Sequence, residues 1–226
     1  GAGLSGLVAA RRLEKVANVT IFEKSKGVGG RIATRRSGIY SFDHGAQFFT
    51  PKTKLFEEFL EPILLDGHVK RWDGNFAEII NKKVVLKRKW DASPPHYVGV
   101  PSMNSFAKQL SVGTDIRKNT YVNKVRRIHG LWQISDANDN LLGEYDWVIV
   151  STPPDQAFQL LPQFPSLRDE LSTHKMQSCF SLMLGFSHDL LLPFDAAVPL
   201  GEDISWISVN SSKPDRDNAY CLLIYL

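Results

Sequence analysis

Six residues, Gly1-Ala2-Gly3-Leu4-Ser5-Gly6, satisfy the spacing G-x-G-x-x-G, and the chemistry that spacing serves is the grip on a pyrophosphate. The first glycine makes a tight turn and the second lets backbone approach the phosphates. The third lets the following helix pack closely, with its N-terminus facing the anion. A β-rich run, 19–22, comes after that helix and ends at Glu23, about where a ribose hydroxyl needs an acceptor. Past Lys24, Gly29-Gly30-Arg31 adds backbone amides that can crowd an anion and a guanidinium beside them. A plain strand-to-helix turn with a surface acid would use the same residue types. The order loop, helix, strand, acid favours a dinucleotide site.

These residues need elements to hold them. Residues 4–15 read as a helix with Leu4, Leu7, Val8 and Leu13 near one face, and 54–65 as a second helix with Leu55, Phe59 and Ile63 spaced by four. Residues 39–42 read as a strand, with Asp43-His44-Gly45-Ala46 as the turn after it. From 69 to 98 the pattern is one of short strands and turns, including 84–90 and a Ser93-Pro94-Pro95 corner. Residues 102–110 return to helix, 121–128 and 131–135 form a hairpin about His129-Gly130, and 136–140 turn the chain again. Residues 145–151 are a nearly continuous apolar run, expected as a strand buried on both faces. Helices over 155–161 and from Pro165 to about His174 precede strands at 179–186, 204–209 and 220–226.

The implied fold class is α/β (α+β overall): a Rossmann-type nucleotide-binding domain, 1–50 and 100–160, interleaved with a strand-rich substrate domain, 51–99 and 161–226. The chain opens on its phosphate loop and stops inside an apolar run, so a first strand and a C-terminal part are expected outside this sequence.

A net charge of +3 is too mild to argue for nucleic acid, and no apolar run reaches the 18 residues that crossing a bilayer requires. Lys82, Lys83, Lys87, Arg88 and Lys89 alternate with Val84, Val85 and Leu86, which suits the charge-protected face of an edge strand better than a nucleic-acid stripe. Cys179 and Cys221 form no C-x-x-C pair; both are expected as inert buried thiols in a reducing, cytoplasmic setting. The six histidines never approach metal-ligand spacing, so no metal is expected. His44 adjoins the segment discussed next and could touch a substrate or simply pack. Tyr97 and Trp206 could line a substrate pocket or belong to the core.

Longer segments carry a resemblance. G-A-G-L-S-G-L-V-A-A followed by F-E-K-S-K-G-V-G-G-R resembles the opening of the FAD-dependent amine-oxidase superfamily. Phe42-Asp43-His44-Gly45-Ala46-Gln47-Phe48-Phe49-Thr50 is similar to the D-x-G-A-Q-Y/F-F-T segment of its renalase-like branch. Three further segments resemble that branch: Gly99-Val100-Pro101-Ser102-Met103-Asn104, Val148-Ile149-Val150-Ser151-Thr152-Pro153 and Asn210-Ser211-Ser212-Lys213-Pro214-Asp215-Arg216-Asp217.

The resemblance implies FAD as the tightly held cofactor. Gly1, Gly3, Ser5 and Gly6 would hold its pyrophosphate, and Glu23, with Lys24 beside it, its adenosine ribose. Gly29, Gly30 and Arg31 would lie by the phosphates, Val122 by the adenine, and Thr152 near the ADP end. Gly45, Ala46, Gln47 and Phe48 would lie near the isoalloxazine. It also implies an oxidase of dihydronicotinamide dinucleotide isomers, with hydride passing to flavin N5 and molecular oxygen leaving as hydrogen peroxide. Such chemistry asks mainly for positioning, and no catalytic side chain is assigned. One departure from the branch is the lack of a histidine near the last strand, which reads Leu223-Ile224-Tyr225. A flavin amine oxidase of a small amine is the competing activity, and a dinucleotide-binding protein without redox turnover the competing class.

Overall fold

A computed structural model describes residues 1–90, 94–217 and 219–226; Ser93, the first residue of the expected proline corner, lies outside them. The first half of the chain runs α1 (Leu4–Leu13), β1 (Thr20–Phe22), β2 (Arg35–Ser37), β3 (Tyr40–Phe42), α2 (Lys54–Leu65), β4 (Val69–Arg71), β5 (Asn75–Ile80), β6 (Lys83–Lys89), β7 (Tyr97–Gly99) and α3 (Ser105–Leu110). The second half runs β8 (Asp115–Arg117), β9 (Lys124–Ile128), β10 (Leu131–Ser135), β11 (Leu141–Tyr145), α4 (Pro154–Leu160), α5 (Pro165–Thr173), β12 (Ser181–Gly185), β13 (Ala196–Pro199), β14 (Trp206–Val209) and β15 (Cys221–Tyr225). Packing divides the chain into two units, residues 1–30 with 110–178, and residues 31–109 with 179–226. Residues 31–50, grouped by the sequence reading with the nucleotide layer, pack with the second unit.

In the first unit the glycine loop leads into α1, whose Leu7 and Ala10 are buried. Small Ala10 lets the helix lie close where a larger side chain would hold it off. The parallel pair β1–β8 aligns Thr20 with Asp115 and Phe22 with Arg117, so Glu23 emerges at the carboxyl end of a parallel strand. Ligands of open α/β sheets gather at that end. β9, β10 and β11 form an antiparallel sheet. The β9–β10 turn uses the positive φ of His129 (49°) and Gly130 (87°).

Residues 146–153 correct the sequence expectation, because they form no strand. Trp147 is 87% and Ile149 59% exposed, while Val148 and Val150 are half-buried. Burial on both faces requires flanking strands in a covered sheet, and among the described residues no strand pairs with this run.

The second unit is built on a six-stranded sheet in the order β12-β15-β14-β13-β5-β6, with β13–β5 its one parallel pair. β6 lies at the edge with every residue exposed, as its lysines and arginine led us to expect. Trp72, Phe76, Trp90, Val98, Val100, Met103 and Ala196 make one core cluster, and Phe42, Cys221 and Leu223 another. Helix α2 begins at Thr53, whose hydroxyl accepts the Phe56 amide at 3.3 Å. Its bounds match the sequence reading but its face does not. Leu60 and Ile63 are buried and Leu55 is 65% exposed, so the inward stripe is Phe56, Phe59, Leu60 and Ile63. Cys221 is buried, whereas Cys179 is exposed, contrary to expectation: it precedes β12, at an edge of the sheet, rather than lying in the core.

Candidate functional site: a glycine cradle and a buried charge cluster

Two glycine segments that are far apart in sequence meet in the first unit. The Gly29 amide donates to the Ala2 carbonyl at 2.8 Å, and Gly3 and Gly29 form a parallel bridge. Gly30, at φ +52°, lies so close that a Cβ there would sit 3.2 Å from the Gly3 Cα. Gly6 is held more tightly still, since its Cβ would fall 2.2 Å from the Gly1 carbonyl oxygen and 2.8 Å from Ser151 Oγ. Gly3 is different: among the described residues, no heavy atom outside its own chain neighbours lies within 4 Å of a Cβ built on it. The loop is therefore tight behind and open in front.

Among the described residues no side chain caps α1, so its first amides keep their affinity for an anion. Ser5, in that first turn, is exposed. These features fit a diphosphate bridge: open space at Gly3, an uncapped helix start, and a second glycine segment against the first.

Glu23 is buried and turned back toward the loop. Its Oε2 accepts the Ala2 amide at 2.7 Å and its Oε1 the Ser25 amide at 2.8 Å. A carboxylate has about four acceptor positions, so both oxygens retain capacity for ribose hydroxyls while fixing the loop. The Thr120 amide donates to the Glu23 carbonyl at 2.9 Å, which brings half-buried Val122 to the same neighbourhood. Ser151 Oγ donates to the Gly1 carbonyl at 3.2 Å, and Thr152 beside it has a buried Oγ1 without a hydrogen-bond partner among the described residues. A ligand hydroxyl or phosphate oxygen would satisfy that atom. Lys24 is exposed and reaches Gln156 at 3.4 Å.

In the second unit the segment 43–48 rests on side chains the sequence reading did not single out for a role. Asp43, with no exposed surface, receives Arg216 Nη2 at 2.7 Å and Nε at 3.1 Å, and Lys213 Nζ at 3.4 Å, on Oδ2. Its Oδ1 accepts the Thr34 hydroxyl at 2.6 Å and the Met103 amide at 2.9 Å. Lys213 also donates to Gln47 Oε1 at 3.2 Å and Asn210 Oδ1 at 3.0 Å, and Ser208 donates to Gln47 Oε1 at 2.7 Å. Tyr225 bonds both Gln47 Nε2 and the Gly45 carbonyl.

Burial opposes charge on Asp43, but Lys213, Arg216, Thr34 and the Met103 amide outweigh it and hold the carboxyl below its ordinary range. Two cations share this one carboxylate, and burial drives Lys213 down from 10.5 to about 8, with Asp43 opposing the fall. Burial pushes the Tyr225 phenol up to about 12, so it remains a donor.

Gly45 is fixed by close approach, since a Cβ there would fall 2.1 Å from the Arg31 carbonyl oxygen, which accepts the Ala46 amide at 2.8 Å. Arg31 and Ala46 are exposed and Gln47 is buried.

Of the substrate candidates, Trp206 joins an aromatic cluster with Phe48, one of the residues expected by the flavin ring, with ring centroids 5.8 Å apart. Tyr97 is half-buried and exchanges backbone hydrogen bonds with Phe49 at 2.8 and 2.9 Å. His44 stays outside that cluster, half-buried, with Nδ1 enclosed and unpartnered. Asp43, Lys213 and Arg216 stand in segments quoted for the family resemblance, which was the one signal available for them. The density of Trp72, Phe76, Trp90 and His96 along 25 residues was the signal for the aromatic cluster.

Residues 1–62 match the sequence profile of a family described as an NAD(P)-binding Rossmann-like domain. The whole chain superposes on 75% of a proposed protoporphyrinogen oxidase from Exiguobacterium sp. 255-15, with TM-score 0.77 and 13% identity. It also superposes on 74% of a putrescine oxidase bound to putrescine, with TM-score 0.71 and 14% identity. For a variant of putrescine oxidase redesigned in cofactor binding, over the same share, the TM-score is 0.73. At these identities the likeness is one of fold. The chain is an α/β protein with a Rossmann-like domain and shares its fold with these two oxidases.

Proposed function

We propose that this chain holds FAD and serves a flavin-dependent oxidoreductase of the renalase-like kind, with dihydronicotinamide dinucleotide isomers as substrates and molecular oxygen as electron acceptor. The observation that carries the reading is the backbone contact between the loop 1–6 and Gly29-Gly30, tight behind and open at Gly3. In this reading Gly1, Gly3, Ser5, Gly6, Gly29, Gly30 and Arg31 hold the pyrophosphate. Glu23, Lys24, Val122 and Thr152 hold the adenosine end, and Gly45, Ala46, Gln47 and Phe48 attend the ring system. Segments 1–50 and 100–160 would form the cofactor domain in the functional sense, and 51–99 with 161–226 the substrate domain.

Bound FAD would supply the redox chemistry, taking two electrons from substrate and passing them to oxygen to give hydrogen peroxide. The chain's own residues position. Glu23 keeps the loop shaped through the Ala2 amide. Asp43, Lys213, Gln47 and Tyr225 lock segment 43–48 so that its backbone does not rearrange when a ligand arrives.

Fold likeness to a putrescine oxidase favours a second reading, oxidation of a small amine. Anaerobic mixing of the FAD-loaded protein with 2-dihydro- or 6-dihydronicotinamide dinucleotide should bleach the flavin absorbance within the mixing time scale of seconds. Absence of bleaching, with peroxide released from a panel of amines, would reverse the order of the two readings. A colourless protein that FAD cannot reconstitute would instead favour nucleotide binding without turnover.

A further inference from the structure

Burial normally forces charges to balance, and beneath segment 43–48 they do not. The Lys213 side chain has no exposed surface and that of Arg216 only 2%, yet both lean on one carboxylate oxygen, Asp43 Oδ2. Among the described residues, the other ionisable groups at the cluster cancel nothing. Burial pushes the Cys221 thiol and the Tyr225 phenol up, so both keep their protons. Asp215 is exposed and taken by Lys70 at 2.7 Å, and Asp217 is exposed, 3.4 Å from the Ser41 hydroxyl. With a pKa of about 8, Lys213 is still largely protonated at pH 7. One positive charge is therefore in surplus.

Arg216 alone would balance Asp43. An apolar side chain at 213 would spare the fold the desolvation of a second cation, and buried, perturbed charges of this kind mark functional sites. The contacts of Lys213 show where its charge is felt. Nζ donates to Gln47 Oε1 at 3.2 Å, and Gln47 Nε2 donates onward to the carbonyls of Asp43 and Gly45. The Trp72 ring lies 5.4 Å from Nζ. An enclosed charge is screened far less than a surface one, so its potential reaches the backbone of 45–47.

We propose that Lys213 tunes the bound flavin, its surplus charge favouring the two-electron-reduced ring. That ring has taken up two electrons and one proton, so it carries one negative charge. Charge placed near a flavin is one of the means by which a protein sets its electronics. The inference rests on the FAD reading above and deepens it, because it gives the cluster an electrostatic role besides locking segment 43–48. Arg216 neutralises Asp43, and Lys213 supplies the charge that remains.

The test uses the full chain loaded with FAD at pH 7, with sulfite as probe. Sulfite adds to oxidised flavin and leaves negative charge on the ring, so its affinity reads the same potential. Lys213→Met should weaken sulfite binding at least tenfold. It should also lower the two-electron potential of the flavin by about 30 mV or more, the equivalent of that factor. Lys213→Gln, which keeps an amide donor without the charge, should match it, and both variants leave Arg216 with Asp43. Lys213→Arg, which keeps the charge, should recover most of both quantities. Lys70→Met removes an exposed lysine and should change neither. Wild-type values in both neutral variants would overturn the proposal, as would a Lys213→Arg variant no better than Lys213→Met. Equal losses in Lys70→Met and Lys213→Met would overturn it too. The two claims fail separately. A wild-type chain that FAD cannot reconstitute sinks the flavin reading itself, whereas bound FAD with an unchanged potential in Lys213→Met sinks only this inference.

Discussion

The two regions at the centre of this account are built by opposite means. The glycine cradle of the first unit is made of backbone: amides, carbonyls and the absence of side chains at Gly3, Gly6 and Gly30. The cluster beneath segment 43–48 in the second unit is made of buried and half-buried side chains, drawn from 34–47 and from 208–225. A backbone site is cheap to fold and unforgiving of added volume. A buried-charge site tolerates changes of shape but not an uncancelled charge. The difference teaches where each region should break.

The largest effect belongs to Asp43. Asp43→Ala leaves Lys213 and Arg216 enclosed without their counter-charge, and breaking such a pair costs about 3–5 kcal/mol. Urea unfolding followed by tryptophan fluorescence should find it. Lys213→Met removes the surplus cation while Arg216 stays with Asp43, so its cost at pH 7 should be far smaller. Equal losses for the two variants would contradict the picture of one carboxylate holding two cations.

Next comes added volume in the cradle. Gly6→Ala drives a methyl onto the Gly1 carbonyl, a backbone collision that no side chain can relieve. Overpacking of this kind costs about 1–3 kcal/mol, and thermal unfolding should show it even without nucleotide.

The pH dependence of stability has a sign that exposes Lys213. Its folded pKa of about 8 lies below its ordinary 10.5. Between those values the unfolded chain holds a proton that the folded chain has released, so stability should rise with pH across that window. Below about 8 both states bind the proton and this group contributes no slope. Lys213→Met should remove this group's share of the rise, leaving what Lys108 adds, whose pKa burial and Arg36 also lower. Asp43 acts at the other end: its folded pKa is lowered, so the stability it adds above the usual carboxylate range is lost as the pH falls through that lowered value.

Tyr225→Phe is the mildest change. It removes one hydroxyl from Gln47 and Gly45, and a net hydrogen bond is worth about 1 kcal/mol. A loss of several kcal/mol would mean that the phenol does more than pin segment 45–47.

How much was legible in the sequence follows the same division. The loop 1–6, α1, β1 and Glu23 are consecutive, so spacing alone fixes their order and position. Helix α2 has clear bounds, yet Leu55 was placed on its inner face because a four-residue spacing alone does not say which way a stripe points. The run 145–151 misled because apolar content reports the tendency to be buried, while strand formation needs a partner elsewhere in the chain. The Asp43 cluster was legible only as a resemblance. Its members lie about 170 positions apart, and no local periodicity links an aspartate after one strand to a lysine and an arginine beyond another.

The central claim, that the open backbone at Gly3 receives a diphosphate, is tested most directly by titrating FAD into wild type and Gly3→Ala. Among the described residues, a methyl at Gly3 meets no heavy atom within 4 Å beyond its chain neighbours, so melting temperature without nucleotide should be unchanged while FAD affinity falls at least tenfold. Wild-type FAD affinity in Gly3→Ala would mean that the diphosphate lies elsewhere.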